Sequence, residues 1–322
     1  MRESRLANAK ASGNPAKRAA AEKFEHQTGH RATITWVDWV AASRPRTLPL
    51  AIAPIIAGVG IVKMLPVPIS PVLSILALAV ALLLQIGVNF ANDYSDGIRG
   101  TDLNRVGPSR LTASGLVNPK RVLATALIFL AAAAGSGLAA VLISQRWWFL
   151  AVGAIALLAA WFYTGGRKPY GYMALGEVAV FIFFGPVATV GTVWLQSEYI
   201  PSEAWLAGVG VGLFATAVLI ANNVRDIETD REAGKRTLSV LIGHRASRIL
   251  YCIFVIAPFG FVYLYGFVYP GLLYTWFLAL LVLPMVIIMI FARSAAELIL
   301  LLKLTSIAGL LYAVGIAYGI GF

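Results

Sequence analysis

Stretches of around twenty consecutive apolar residues recur along this chain, and no other feature restricts its fold as severely. A helix rises ~1.5 Å per residue, so about twenty residues cover the ~30 Å of hydrocarbon in a bilayer. Within lipid the backbone must satisfy its own hydrogen bonds, which leaves helices and closed barrels. The runs are continuous, without the alternation of barrel strands. The sequence therefore reads as an all-α membrane protein. Composition agrees: 59% of the 322 residues are hydrophobic and 13% charged, against roughly 45–50% and about 25% in soluble domains.

Nine transmembrane helices are expected, near 47–63, 71–92, 121–143, 147–164, 173–195, 204–224, 249–268, 272–292 and 300–320. The first carries Pro49 and Pro54 and is short, so part of the preceding segment with Trp36 and Trp39 belongs to it. With the N-terminus inside, 24 of the 26 Lys and Arg residues fall on one face, leaving Lys63 and Arg146 on the other. This is the positive-inside pattern, and it predicts a multi-pass protein of the cell (plasma) membrane with cytoplasmic polar loops. The same placement excludes nucleic acid as the reason for the net charge of +11. Residues 1–33 lack the apolar core of a signal peptide and read as a disordered basic cytoplasmic tail, His26 and His30 included. A single domain, 34–322, follows. The lone cysteine, Cys252, lies in an apolar run and reads as packing. The Gly208–Gly212 spacing and the GSG at 135–137 also read as helix packing.

Two acidic clusters follow apolar runs in the same manner. NFANDYSDGIRGTD carries Asp93, Asp96 and Asp102; NNVRDIETDREAGKRT carries Asp226, Glu228, Asp230 and Glu232. Asp93 and Asp96 are spaced i, i+3, and Asp226 and Asp230 i, i+4, so each pair shares a helix face. Asn89 precedes Asp93 by four residues, as Asn222 precedes Asp226. Four helices separate the copies, which predicts two parallel four-helix pseudo-repeats plus one helix, in a bundle around a central cavity. Carboxylates on matched helix ends suit a hard divalent cation such as Mg²⁺, which binds through a few carboxylates and substrate phosphates. Taken alone, either end could instead be a solvated, salt-bridged helix terminus. Arg99, Arg105, Arg110, Arg225, Lys235 and Arg236 stand among the acids. They suit a metal-bridged polyphosphate, though each also serves positive-inside topology. No GxxxxGKS loop is present, which argues against an NTPase. Glu177, early in the fifth run, is either a functional acid at membrane depth or an interfacial side chain.

NDYSDGIRGTD and DIETDREAGKRTL resemble the two aspartate-rich motifs of the UbiA superfamily of intramembrane prenyltransferases. The likeness covers nearly the whole chain after residue 35, including RPRTL. RVGPSRLTASG and YTGGRKPYGYMALGEVAVFIFFGP look like its branch of 1,4-dihydroxy-2-naphthoate prenyltransferases of menaquinone synthesis. The resemblance implies a nine-helix bundle whose cavity opens to lipid. It implies Mg²⁺ held by Asp93, Asp96, Asp226 and Asp230, with Asn89 and Asn222 assisting. Arg105, Arg110, Lys235 and Arg236 would contact the diphosphate of a polyprenyl donor. Arg44, Thr47, Lys168 and Glu177 would lie toward the aromatic acceptor. The implied reaction transfers the polyprenyl chain from polyprenyl diphosphate to 1,4-dihydroxy-2-naphthoate with decarboxylation, giving demethylmenaquinone. Two alternatives stay open. One is the same catalyst with 4-hydroxybenzoate, a chlorophyll precursor or phosphoribosyl diphosphate as acceptor. The other is a transporter, which predicts inverted repeats and midplane acids.

Overall fold

A computed structural model describes residues 34–100 and 110–321. The N-terminal tail, Asp102 and Arg105 lie outside the described residues. A short helix, α1 (Trp36–Ala42), turns through Pro45–Thr47 into α2 (Pro49–Val62), bent from it by 47°. Arg44, at the turn, sits in the left-handed region with φ 57°. Then come α3 (Pro71–Arg99), α4 (Pro119–Ser144), α5 (Phe149–Phe162) and α6 (Gly176–Gln196). The last four are α7 (Ser202–Glu232), α8 (Leu238–Gly266), α9 (Pro270–Phe291) and α10 (Ala295–Gly321). Ser70 and Asn118 cap α3 and α4 by accepting from the Leu73 and Lys120 amides, the preferred chemistry for a helix start.

Seven of these helices, α3, α4 and α6 to α10, are long and apolar enough to cross a membrane, and the bent pair α1–α2 makes an eighth if taken as one span. The ninth expected crossing corresponds to α5, whose 14 residues reach only ~21 Å at ~1.5 Å each. Asp93 and Asp96 lie near the end of α3, and Asp226, Glu228, Asp230 and Glu232 near the end of α7, on the helix ends expected of them. α3 continues to Arg99 and stops at Gly100, whose φ of 75° suits a glycine C-terminal stop. α7 runs on to Glu232.

The core is built around α7, which packs on α2, α6, α8 and α10. Its most apolar stretch is 72% buried, against 17% for α3. The two motif helices are therefore unequal in burial, although their sequence spacing is alike. Gly208 and Gly212 do serve packing: the space a Cβ at Gly212 would need lies 3.1 Å from Gly185 Cα on α6. Pro186 sits there within a π-helical turn, Phe183–Val187. The GSG packs through Gly137, where a Cβ would lie 3.7 Å from Val80 of α3, while nothing approaches within 4 Å of a Cβ built at Gly135. On the other side, a Cβ at Gly60 of α2 would lie 2.3 Å from Ala317 Cα of α10.

Replacing Gly60 by alanine is expected to lower unfolding stability in detergent by about 1–3 kcal/mol, the usual cost of overpacking. Gly135→Ala is expected to be neutral or stabilising by roughly 0.4–1 kcal/mol through the unfolded chain. Thermal unfolding of the two variants side by side tests the close α2–α10 packing, which equal midpoints would contradict.

Candidate active site

A cavity of about 950 Å³ is walled by α1 to α7, with Ile299 and Leu302 of α10. Among the described residues, α8 and α9 contribute none of its lining. Most of the wall is apolar, with Leu84, Gly137, Val141, Leu157, Phe184 and Leu219. The polar groups include Arg44, Thr47, Asn89, Arg110, Asn222 and Arg225. On α3, Gln85 donates to the Thr47 carbonyl at 2.9 Å and Asn89 to the Ser43 carbonyl at 2.9 Å. These two amides hold the turn that carries Arg44 and Thr47 against the cavity.

The first motif divides its labour. Asp93 is fully buried, and its carboxylate accepts from the backbone N–H groups of Leu111 at 2.9 Å and Thr112 at 2.8 Å. Asp93 thus anchors the returning loop, an architectural role. Gly97, one turn later, has no Cβ, and one would lie 2.4 Å from Thr112 Cβ. The acid and the glycine together let the loop lie on α3. Asp96 faces other partners. Tyr172 donates its hydroxyl to Asp96 Oδ1, while Arg110 and Lys235 stand 3.9 and 3.6 Å from Oδ2.

Lys235 joins the two motifs, because its ammonium also lies 3.7 Å from Asp230 Oδ1 on α7. It stands 4.8 Å from the centre of the Tyr172 ring, with the Arg99 guanidinium 5.8 Å from the same centre. Arg99 in turn donates to the carbonyls of Thr164 and Gly166, tying the turn after α5 to the end of α3. Asp226 is gripped by its neighbour Arg225 through two bonds of 2.7 and 2.6 Å, and Arg225 also donates to Asn222 at 2.8 Å. Asn92 accepts from Thr164 at 2.6 Å. Tyr170 lines the cavity and donates to the Ala159 carbonyl at 2.8 Å, and burial pushes its phenol up to about 12.

The structure thus brings Asp96, Asp230, Lys235 and Arg110 together, with Asn89, Asn222, Arg44 and Thr47 along the cavity. Arg236 and Lys168 are exposed and outside the cavity lining. Only the Arg236 amide reaches inward, donating to the Tyr172 carbonyl at 2.9 Å. Glu177 is buried, accepts from Asn223 of α7 at 2.8 Å, and is not among the lining residues. Tyr172 was not singled out in the sequence, where KPYGY reads only as a turn. Its signal was an aromatic hydroxyl a few residues after the basic pair Arg167 and Lys168.

Among the described residues no three acidic, His or Cys side chains converge in a ready metal cage. The donor set nonetheless fits Mg²⁺. It is oxygen-only, and an ammonium already stands close to carboxylates of both motifs. Mg²⁺ commonly takes one or two protein carboxylates and fills the rest of its octahedron with water and phosphate.

Arg110 and Arg225 of the lining pair with Asp96 and Asp226, so acids and cations adjoin an apolar cavity within a helical membrane bundle, which suits a protein that handles amphipathic anions. Comparison with known proteins gives that class its family. The sequence profile of the UbiA prenyltransferase family matches residues 51–319, and the chain belongs to this family. It is 51% identical over 217 residues to a 1,4-dihydroxy-2-naphthoate octaprenyltransferase of Mycobacterium tuberculosis, covering 67% of this chain and 74% of that one. The protein of the same name from Escherichia coli is 39% identical over 216 residues, covering 65% and 70%. A UbiA homolog from Archaeoglobus fulgidus solved with GPP and Mg²⁺ has the same fold, with a TM-score of 0.58 at 14% identity, covering 87% of this chain and 99% of that one.

The differing roles of the acids can be separated by stability. Asp93→Ala strands two buried amides and is expected to cost about 2–4 kcal/mol. Asp230→Ala leaves Lys235 its Asp96 partner and is expected to cost about 1 kcal/mol or less. Denaturant or thermal unfolding of the two variants provides the comparison; equal losses would contradict the anchoring role of Asp93.

Proposed function

We propose that this chain transfers a polyprenyl group from polyprenyl diphosphate to 1,4-dihydroxy-2-naphthoate, with loss of CO₂, in menaquinone synthesis. The observation that carries the reading is Lys235 shared between Asp96 and Asp230, near an apolar cavity of about 950 Å³. A substrate with a doubly charged head and a long hydrocarbon tail matches both parts. The naphthoate acceptor is favoured by the relatives named for it, at up to 51% identity. The crossing count in this reading is nine, with α5 completed by its flanking Trp148 and Tyr163. The Lys and Arg distribution favours the cytoplasmic face of the cell membrane for the motif ends.

Asp96, Asp226 and Asp230 would hold Mg²⁺, with Asp93 acting mainly through the loop it anchors. A metal held there would supply neutralisation of the charge on a departing diphosphate. Lys235, Arg110 and Arg225 add fixed positive charge to the same oxygens. Arg105, outside the described residues, belongs to the same basic set. As the allylic C–O bond breaks, its electron pair leaves with the diphosphate. The electron-rich ring then forms the new C–C bond. The ring carboxylate departs as CO₂, leaving its bonding pair to restore aromaticity. No electrons leave the system, so the immediate product is the quinol form of demethylmenaquinone. Arg44, Thr47 and Asn89 line the cavity where the acceptor's oxygens would be oriented. The apolar wall excludes water, which would otherwise capture the allylic cation.

Purified protein given octaprenyl diphosphate, Mg²⁺ and 1,4-dihydroxy-2-naphthoate should release CO₂ and form the prenylated quinol. It should work poorly with 4-hydroxybenzoate or phosphoribosyl diphosphate. Asp96→Asn and Asp230→Asn should each lower kcat at least about 100-fold, the scale for losing a preorganised electrostatic group. A preference for another acceptor would overturn the substrate assignment, and full activity of both variants would overturn the site.

A further inference from the structure

A second concavity lies on the far side of the bundle, between α8 and α9, separate from the walls of the active-site cavity. It encloses about 860 Å³. Its mouth carries His244, Arg245 and Arg248, and its floor Ile249, Cys252, Ile253 and Ile256, with Ile290 of α9 opposite. Cys252 and the cations of this segment have no part in the active site.

The local backbone explains the shape. α8 breaks at Gly243, where φ is 79°, and resumes as regular helix from His244. From there Arg245, Ile249, Cys252 and Ile256 follow at i, i+4, i+7 and i+11, which places them on one face. Arg248 fixes the mouth against α9. It donates to the carbonyls of Met289 at 2.9 Å, Ile290 at 2.8 Å and Ala292 at 2.7 Å. A cation there also complements the negative end of that helix. His244 ties the mouth to the end of α7, 3.4 Å from Glu228. Arg245 is different: it is exposed and, among the described residues, has no acidic partner.

We infer that this groove binds an anionic glycerophospholipid, with its phosphate at Arg245 and one acyl chain along the isoleucine stripe. Three observations support that occupant. The groove opens on a membrane-spanning helix, where hydrocarbon is the surrounding solvent. Its charge is confined to one end and is positive, complementary to a lipid phosphate. The stripe from Arg245 to Ile256 is ~16 Å long at ~1.5 Å per residue, close to half of the ~30 Å hydrocarbon thickness. That is the depth of one leaflet and so of one acyl chain. A soluble anion would use the mouth and leave the stripe without a purpose.

The test titrates detergent-solubilised protein with dioleoyl phosphatidylglycerol or dioleoyl phosphatidylcholine and reads bound lipid by native mass spectrometry. Wild type should retain phosphatidylglycerol more tightly than phosphatidylcholine. Each basic residue near a lipid surface is worth about a five-fold change in affinity, so Arg245→Gln should weaken phosphatidylglycerol about five-fold and Arg245→Glu about thirty-fold. Neither variant should shift the thermal midpoint or prenyl transfer, because Arg245 is exposed and outside the active-site cavity. Ile253→Trp, which fills the groove, should weaken both lipids. Equal retention of the two lipids by wild type would overturn the proposal. So would unchanged phosphatidylglycerol affinity in Arg245→Glu and Ile253→Trp, or an Arg245→Glu variant that loses octaprenyl diphosphate instead.

Discussion

The site depends on one cation held between two chain segments that meet nowhere else in sequence. Lys235 lies within ion-pair reach of Asp96 from α3 and Asp230 from α7, with the Tyr172 ring beside its ammonium. Two carboxylates brought together at a helix-bundle rim would repel each other in a medium of low polarizability. The ammonium converts that repulsion into attraction and fixes the distance between the motifs. Tyr172 strengthens the arrangement by donating to Asp96 and facing the lysine with its ring. The resulting balance of charge matters for turnover. In the proposed reaction, Mg²⁺ and a diphosphate would bring opposite charges to a site that already balances its own, so no buried charge need be left uncompensated, which would be costly.

Much of the fold was legible because lipid is a demanding solvent. Long apolar runs can only be helices there, and the runs expected near 121–143 and 300–320 lie within α4 and α10. Boundaries were less legible where helices continue into polar sequence. Hydropathy ends the second run near residue 92, yet α3 continues to Arg99 because nothing in NDYSDGIR forbids helix until Gly100. The start of α8 was missed by eleven residues for the same reason, with Gly243 kinking it. The site was legible in residue type more than in direction. Spacing put Asp93 and Asp96 on one face, but it could not say that a loop would return over Asp93 and occupy its oxygens. Lys168 and Arg236 have suitable charge, and their exposure came from turn geometry that no spacing encodes.

The unequal burial of α3 and α7 has a functional side. A helix enclosed on all faces can anchor chemistry but offers little surface to a substrate. α7 has that character, and it holds Asp226 and Asp230 against a rigid core. α3 is the opposite case, packed mainly along α4 and otherwise open to the cavity or lipid. Its polar side chains Gln85, Asn89 and Asn92 therefore recruit partners from the turns around it, at Thr47, Ser43 and Thr164. One motif is held by packing and the other by hydrogen bonds. Local opening is expected on the second side, since hydrogen-bonded turns at a rim open more readily than a packed core.

The two concavities follow the same physical rule from opposite sides of the bundle. Each sets cations beside a stripe of aliphatic side chains, so a ligand must present both an anionic head and hydrocarbon. They differ in what accompanies the cations. At the active site acids are interleaved with the bases, which suits a metal-bridged diphosphate and permits its release after bond cleavage. At the α8–α9 groove the acid at the mouth, among the described residues, is Glu228, already occupied by Arg231 at 2.7 Å as well as by His244. Arg245 is left with net positive charge, which suits a resident lipid phosphate and offers nothing for turnover. Acid content thus separates a catalytic head-group site from a binding one in this protein, while the apolar stripe is common to both.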